Sequence, residues 1–186
     1  MTLSLVLWCG AALLLFWSVG AYNRLVRLRA EANAAFAVLD EHWTRQIELV
    51  HASLPDTMRP SQLTQPGDLM DDLTQLWAGL RGAASQFAAS LAALRPHPLD
   101  AGAGAALAAA QDVLVMAWQR VEAEAHDLAG APVPETVTAR WQALMHETAK
   151  AQARFNDAVT RYNFAIAQFP AVLLAWLFSF KPASTL

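Results

Sequence analysis

The sequence contains a single cysteine, Cys9, among 186 residues. One thiol cannot close an intramolecular disulfide and cannot build a cysteine metal site. Charge is scarce as well: 16% of the residues are Asp, Glu, Lys or Arg, where roughly a quarter is usual. The formal net charge is -3, and the arginines are scattered without a dense basic patch, so the electrostatic footprint of a nucleic-acid binder is missing. No stretch alternates apolar and polar residues with period two over a useful length, and strands are not expected.

Catalytic signatures are missing too. There is no glycine-rich phosphate loop and no Gly-x-Ser-x-Gly. His146-Glu147 opens like the zinc-protease His-Glu-x-x-His, but Lys150 stands where the second histidine belongs. Glu48-Leu49-Val50-His51 is one Glu-x-x-His unit, whereas a di-iron bundle takes two, plus two further carboxylates. Glu122 and His126 are spaced four apart and do not supply the second. Asp71 and Asp72 suit the first turn of a helix, where acids meet the helix dipole favourably. The chain therefore reads as non-enzymatic, with no cofactor and no metal.

What is present in excess is apolar surface: 55% of the residues are hydrophobic. Residues 1–22 carry no charged side chain, and about 20 apolar residues suffice to cross a bilayer as a helix. A core helix is seldom apolar on every face over such a length. Trp17 and Tyr22 stand towards one end of the run, where amphipathic rings favour the interface. The alternative is a cleavable signal peptide, with Val19-Gly20-Ala21 as its small-residue site, although no basic residue precedes the apolar run. A lipoprotein signal fits poorly, because Trp8 precedes Cys9. Arg24, Arg27 and Arg29 follow the span and nothing basic precedes it. The positive-inside rule then places the long remainder in the cytoplasm, with the short N-terminus outside.

Beyond residue 22 the chain reads as helices separated by Pro/Gly punctuation. Leu25, Leu28, Ala32, Ala35 and Leu39 recur at spacings of three and four, widened by Phe36, Trp43, Ile47, Val50 and Leu54. The first helix has no breaker before Pro55, and residues 55–67 form a loop. A second helix is expected from Asp68 to Leu94, with Leu69, Leu73, Leu76, Leu80, Ala83, Phe87 and Leu94 on its stripe. Residues 95–98 turn. A third helix starts near Leu99 or Asp100, weakened by Gly102 and Gly104, and carries Leu107, Leu114, Trp118, Val121, Ala125 and Leu128. Residues 130–134 end it.

The fourth helix, from Val137 to Phe169, has the cleanest repeat: Trp141, Met145, Thr148, Gln152, Phe155, Val159, Tyr162, Ile166 and Phe169. Such spacing is the seam of nearly aligned helices. The expected fold is all-α: an N-terminal transmembrane helix continuing into an antiparallel, up-down-up-down four-helix bundle. The expected divisions are a transmembrane anchor (1–22), the bundle (23–169) and an apolar tail (170–186). Helix four, roughly 50 Å long, returns its end to where helix one leaves the membrane. The tail after Pro170 then lies in the interface, caps the bundle or meets a partner groove, and Trp176, the phenylalanines from Phe169 to Phe180 and Lys181 suit the membrane interface. Tyr22-Asn23 and Tyr162-Asn163 fall at one height, where reciprocal amide hydrogen bonds are expected.

These residues resemble the LemA family of bacterial membrane proteins. The resemblance lies in the N-terminal span, in Tyr22-Asn23-Arg24-Leu25-Val26-Arg27-Leu28, and in Asn156-Asp157-Ala158-Val159 with Tyr162-Asn163 and Ile166. It continues through Phe169-Pro170, Ala175 and Leu177-Phe178-Ser179-Phe180-Lys181. The chain departs from the pattern in lacking the family's Ile-Pro-Asn element in helix one, in having Phe155 where a tyrosine is usual before the first asparagine, and in having Arg154 where another aromatic residue is common. The resemblance implies a membrane-anchored antiparallel helical bundle and adds no reaction. The expected role is a scaffold or interaction module in the bacterial inner (cytoplasmic) membrane, or else a regulatory accessory subunit of a membrane protease or envelope-stress system. Its partners are then the lipid bilayer and a membrane or membrane-proximal protein. Candidate interaction residues are Tyr22, Asn23, Asn156, Tyr162, Asn163, Phe169, Pro170, Trp176, Phe178 and Phe180.

Overall fold

A computed structural model describes residues 2–54, 72–127, 133–169 and 171–186, with side chains outside 2–7, 9, 11, 14, 72, 73 and 125–127. The expected loop at 55–67, the expected helix start at Asp68, most of the 130–134 breaker, and Pro170 lie outside the described residues. Five helices make up the fold: α1 (Thr2–Ser53), α2 (Asp72–Leu94), α3 (Ala101–Asp127), α4 (Glu135–Ala167) and α5 (Ala171–Leu177). No strand occurs among the described residues, as the lack of period-two alternation predicts.

Helix α1 runs unbroken because it meets no proline before its end. Its burial is divided sharply along its length. None of the described side chains before Leu25 is buried. From there Leu25, Leu28, Ala32, Phe36, Leu39, Trp43, Leu49 and Val50 are buried on one stripe. Exposed Arg27 and Glu31, and Arg45 and Glu41, pair at i,i+4 on the outer face.

The α2–α3 connection is fixed by local hydrogen bonds. The Leu94 carbonyl accepts the His97 amide at 2.9 Å, and the His97 carbonyl accepts the Asp100 amide at 2.9 Å. Asp100 then caps α3, its carboxylate accepting the Ala103 amide at 2.7 Å. Arg95 pins this turn to α1, donating to Asp40 at 2.9 Å and to Thr44 at 3.0 Å. Helix α4 begins behind Pro134, whose carbonyl accepts the Val137 amide at 2.8 Å.

An aromatic column joins α1 to its neighbours. Phe36 meets Phe155 of α4 at 5.9 Å between ring centres, and Trp43 meets Phe87 of α2 at 5.8 Å, both edge-to-face. Such pairs add roughly 0.5–1.5 kcal/mol each beyond the area they bury. Gln46 is the buried polar exception on α1. Its amide donates to Thr148 at 3.0 Å and to the Met145 sulfur at 3.2 Å. The hydroxyl at position 148 is what permits an amide in that seam, since a buried donor without an acceptor costs about 1–3 kcal/mol.

The helices are not evenly spaced. α1 packs closely with α4 and α2 with α3, whereas α3 and α4 have no Cα atoms within 8 Å among the described residues. Indoles bridge this wide edge. Trp118 of α3 and Trp141 of α4 stack with centres 4.5 Å apart and planes 17° apart. Among the described residues one stretch, Ala101–Glu124 in α3, is long and apolar enough to cross a membrane. Its Leu107, Leu114, Trp118 and Val121 are buried in the core, while Val113 and Met116 on the same helix are exposed.

Candidate functional site

The end of the molecule holding the start of the buried α1 stripe, the end of α4, and α5 brings most of the expected interaction residues together. Gln168 is extended (φ -79°, ψ 139°) and breaks α4 after Ala167. The break throws Phe169 outward, to 80% exposure, although the heptad-like spacing makes it the last residue of the α4 seam. Phe169 instead approaches Trp17 of α1, with centres 6.2 Å apart.

The apolar tail opens with a short helix that was not expected. Residues 171–177 form α5, which buries Ala171 and Ala175 against α1 and α4 and leaves Val172, Leu173, Trp176 and Leu177 exposed. Small residues face inward and large ones outward, the reverse of a helix that merely fills a core. α5 ends with the Phe180 amide donating to the Ala175 carbonyl at 2.9 Å, while Ser179 adopts φ 55°. That is the left-handed helix-ending turn usually reserved for glycine. Beyond it Tyr22 contacts both Phe178, at 5.0 Å, and Phe180, at 6.1 Å. The Arg29 guanidinium lies 6.0 Å from the Phe180 ring centre.

From Phe180 onward the chain is an extended strap that runs back along α4. The Tyr162 hydroxyl donates to the Lys181 carbonyl at 3.0 Å. Asn163 makes two bonds to one residue: its amide nitrogen donates to the Ala183 carbonyl at 2.8 Å, and its oxygen accepts the Ala183 amide at 2.9 Å. Asn156 repeats this arrangement on Leu186, at 2.6 Å and 2.9 Å. Across the groove a side chain on Gly104 of α3 would crowd the Leu186 side chain at 3.3 Å and reach ordinary contact with Ser184 at 3.8 Å. Gly104 therefore serves this close approach, beyond weakening a helical turn. The strap thus fills one part of the wide α3–α4 edge, and the Trp118–Trp141 stack fills another.

These contacts replace the expected pairing of Tyr22-Asn23 with Tyr162-Asn163. Both amide atoms of Asn163 are taken by Ala183, and Asn23 is exposed. The strap offers a complete backbone donor–acceptor pair at each asparagine, which the Asn23 side chain does not match without leaving solvent. Burial of Tyr162 raises its phenol above the ordinary range, with Arg29 opposing the shift.

Charge at this end is paired loosely. Arg161 lies 3.3 Å from Asp157 and 3.9 Å from Glu31, all exposed. Arg24 lines a cleft of about 340 Å³ with Trp17, Gly20, Gln168 and Phe169. Among the described residues no group of three or more His, Cys, Asp or Glu side chains could hold a metal ion. Glu147 is held below the usual carboxylate range by the hydrogen bond from Lys150, the residue that breaks the zinc-protease pattern.

Sequence reasoning gave Gly104 and Ser179 no part in this contact and did not single out Ala183 or Leu186. The available signal was the seven-residue spacing of Asn156 and Asn163 on a face that is otherwise apolar, which calls for an amide-satisfying partner along the helix. No protein-family model matches the chain, and neither a curated protein nor a solved structure matches it.

Proposed function

We propose that the chain is a LemA-like, single-pass membrane protein whose helices beyond residue 22 form an antiparallel four-helix bundle acting as a non-catalytic interaction module. One observation carries this reading: where the exposed apolar side chains fall. Trp8, Leu13, Leu15, Phe16, Trp17, Val19 and Tyr22 of α1 are exposed, as are Phe169, Val172, Leu173, Trp176, Leu177 and Phe178. Contacts between Trp17 and Phe169, and between Tyr22 and Phe178, gather the two sets at one end. Soluble monomers rarely face water with a contiguous apolar patch above a few hundred Å². A bilayer around residues 1–22, with α5 lying in its interface, accounts for the patch.

The bundle reading is supported by contact pairs. Between α1 and α4 these are Gln46 with Thr148, Phe36 with Phe155 and Glu31 with Arg161, and just past the end of α4 Trp17 meets Phe169. Residue numbers fall along one helix as they rise along the other. The same inversion links Trp43 to Phe87 and Asp40 to Arg95. The orientation rests on Arg24, Arg27 and Arg29, which put the bundle in the cytoplasm.

The test is topological. In a Cys9→Ser background, Ser61→Cys is expected to react with a membrane-impermeant maleimide only after cell lysis, and from the membrane fraction. Labelling in intact cells would put the bundle on the other side, and recovery in the soluble fraction would remove the anchor.

A further inference from the structure

Asn156 and Asn163 hold an extended chain by its backbone, and the match is one of pitch. Seven residues of helix advance about 10.5 Å. The two residues they grip, Ala183 and Leu186, are three apart, which in an extended chain is about 10 Å. Each asparagine therefore meets a backbone donor–acceptor pair in register, as an adjacent strand would. Every polar atom of both side-chain amides is used.

The demands on the bound chain's side chains are few. Ala183 is buried, so a small residue is required there. Leu186 packs partly buried against the core, where Gly104 leaves room for it. Pro182 and Thr185 are exposed. The strap is also entered through the turn at Ser179, whose left-handed backbone (φ 55°) is strained in a non-glycine residue. A segment bound mainly through its backbone and led in by a strained turn is suited to exchange.

We infer that the α3–α4 groove bearing Asn156, Tyr162 and Asn163 is a recognition site for an extended peptide of a partner protein. That peptide carries a small residue followed three positions later by an aliphatic one, and the chain's own strap occupies the site in competition. The inference names the partner class for the interaction module proposed above and rests on that reading.

The probe is a fluorescent peptide with the sequence of residues 179–186, titrated into the full chain in detergent micelles and followed by anisotropy. A tethered strap competes at an effective concentration on the order of millimolar. Binding is expected to be at least tenfold tighter to a variant lacking residues 182–186 than to the full chain. Ala183→Glu in the full chain expels the strap without shortening it and is expected to open the site in the same way. Adding Asn163→Ala to either variant is expected to abolish binding, as is placing Trp at the Ala183 position of the peptide. Variants that keep the helical melt but leave millimolar peptide unbound overturn the inference, as does binding indifferent to Asn163→Ala. A full-chain dimer abolished by Asn163→Ala would give the groove to a second copy and overturn it too. Peptide binding in micelles is scored apart from membrane retention, so either reading can fail alone.

Discussion

At the scale of single residues, Tyr162 shows how one side chain can belong to a core and to a strap together. Its ring is buried in the α4 seam, and its hydroxyl reaches the Lys181 carbonyl. Burial favours the neutral phenol, so the folded pKa lies above the ordinary value of about 10. The folded chain then keeps a proton that the unfolded chain has released. The stability this contributes is whole below the ordinary phenol range and is lost as pH rises through the raised value. The chain has two tyrosines, so Tyr22→Phe isolates Tyr162 for ultraviolet titration. Its midpoint is expected above that of free tyrosine, with a matching fall in stability; a midpoint at the free value would place the phenol in water. The tyrosine and both asparagines stand out in the sequence as polar groups at an apolar seam. Their partner does not, because a backbone has no side-chain signature to read.

At the scale of elements, periodicity predicted the four long helices because each buries one stripe, and stripes repeat at helical spacing. Among the described ends, α2 stops just before Pro96, Asp100 caps α3 and α4 starts behind Pro134. The short helix α5 was not expected, since seven residues are too few for periodicity to speak, and its apolar residues suited several places equally. The α3–α4 spacing was also hidden: a tryptophan on a stripe signals burial without saying how wide a gap it spans. Trp118 is fully buried and bridges that gap to Trp141. Trp118→Ala is expected to cost about 3–5 kcal/mol. Exposed Met116→Ala on the same helix should stay within about 0.5 kcal/mol. Denaturant unfolding of the full chain in micelles, followed by circular dichroism, measures both. Equal effects would mean that the indole stack does not hold the wide edge.

At the scale of the whole molecule, the distribution of burial divides the chain at Leu25. Beyond it lies a core of aromatic and aliphatic side chains; before it, none of the described side chains of α1 is buried, and the outer face of α5 joins them. The uncharged first run was plain in the sequence. That the large side chains of α5 would face the same way as that run, with only its alanines turned inward, depended on the bend at Gln168 and could not be read from composition. If this apolar end sits in a bilayer, the depth of its side chains reveals it. In the Cys9→Ser full chain reconstituted in vesicles, a bimane label at Trp176→Cys is compared with one at Arg140→Cys, using lipids brominated along their acyl chains. Strong quenching is expected at 176 and none at 140; equal, weak quenching at both positions would take α5 out of the bilayer.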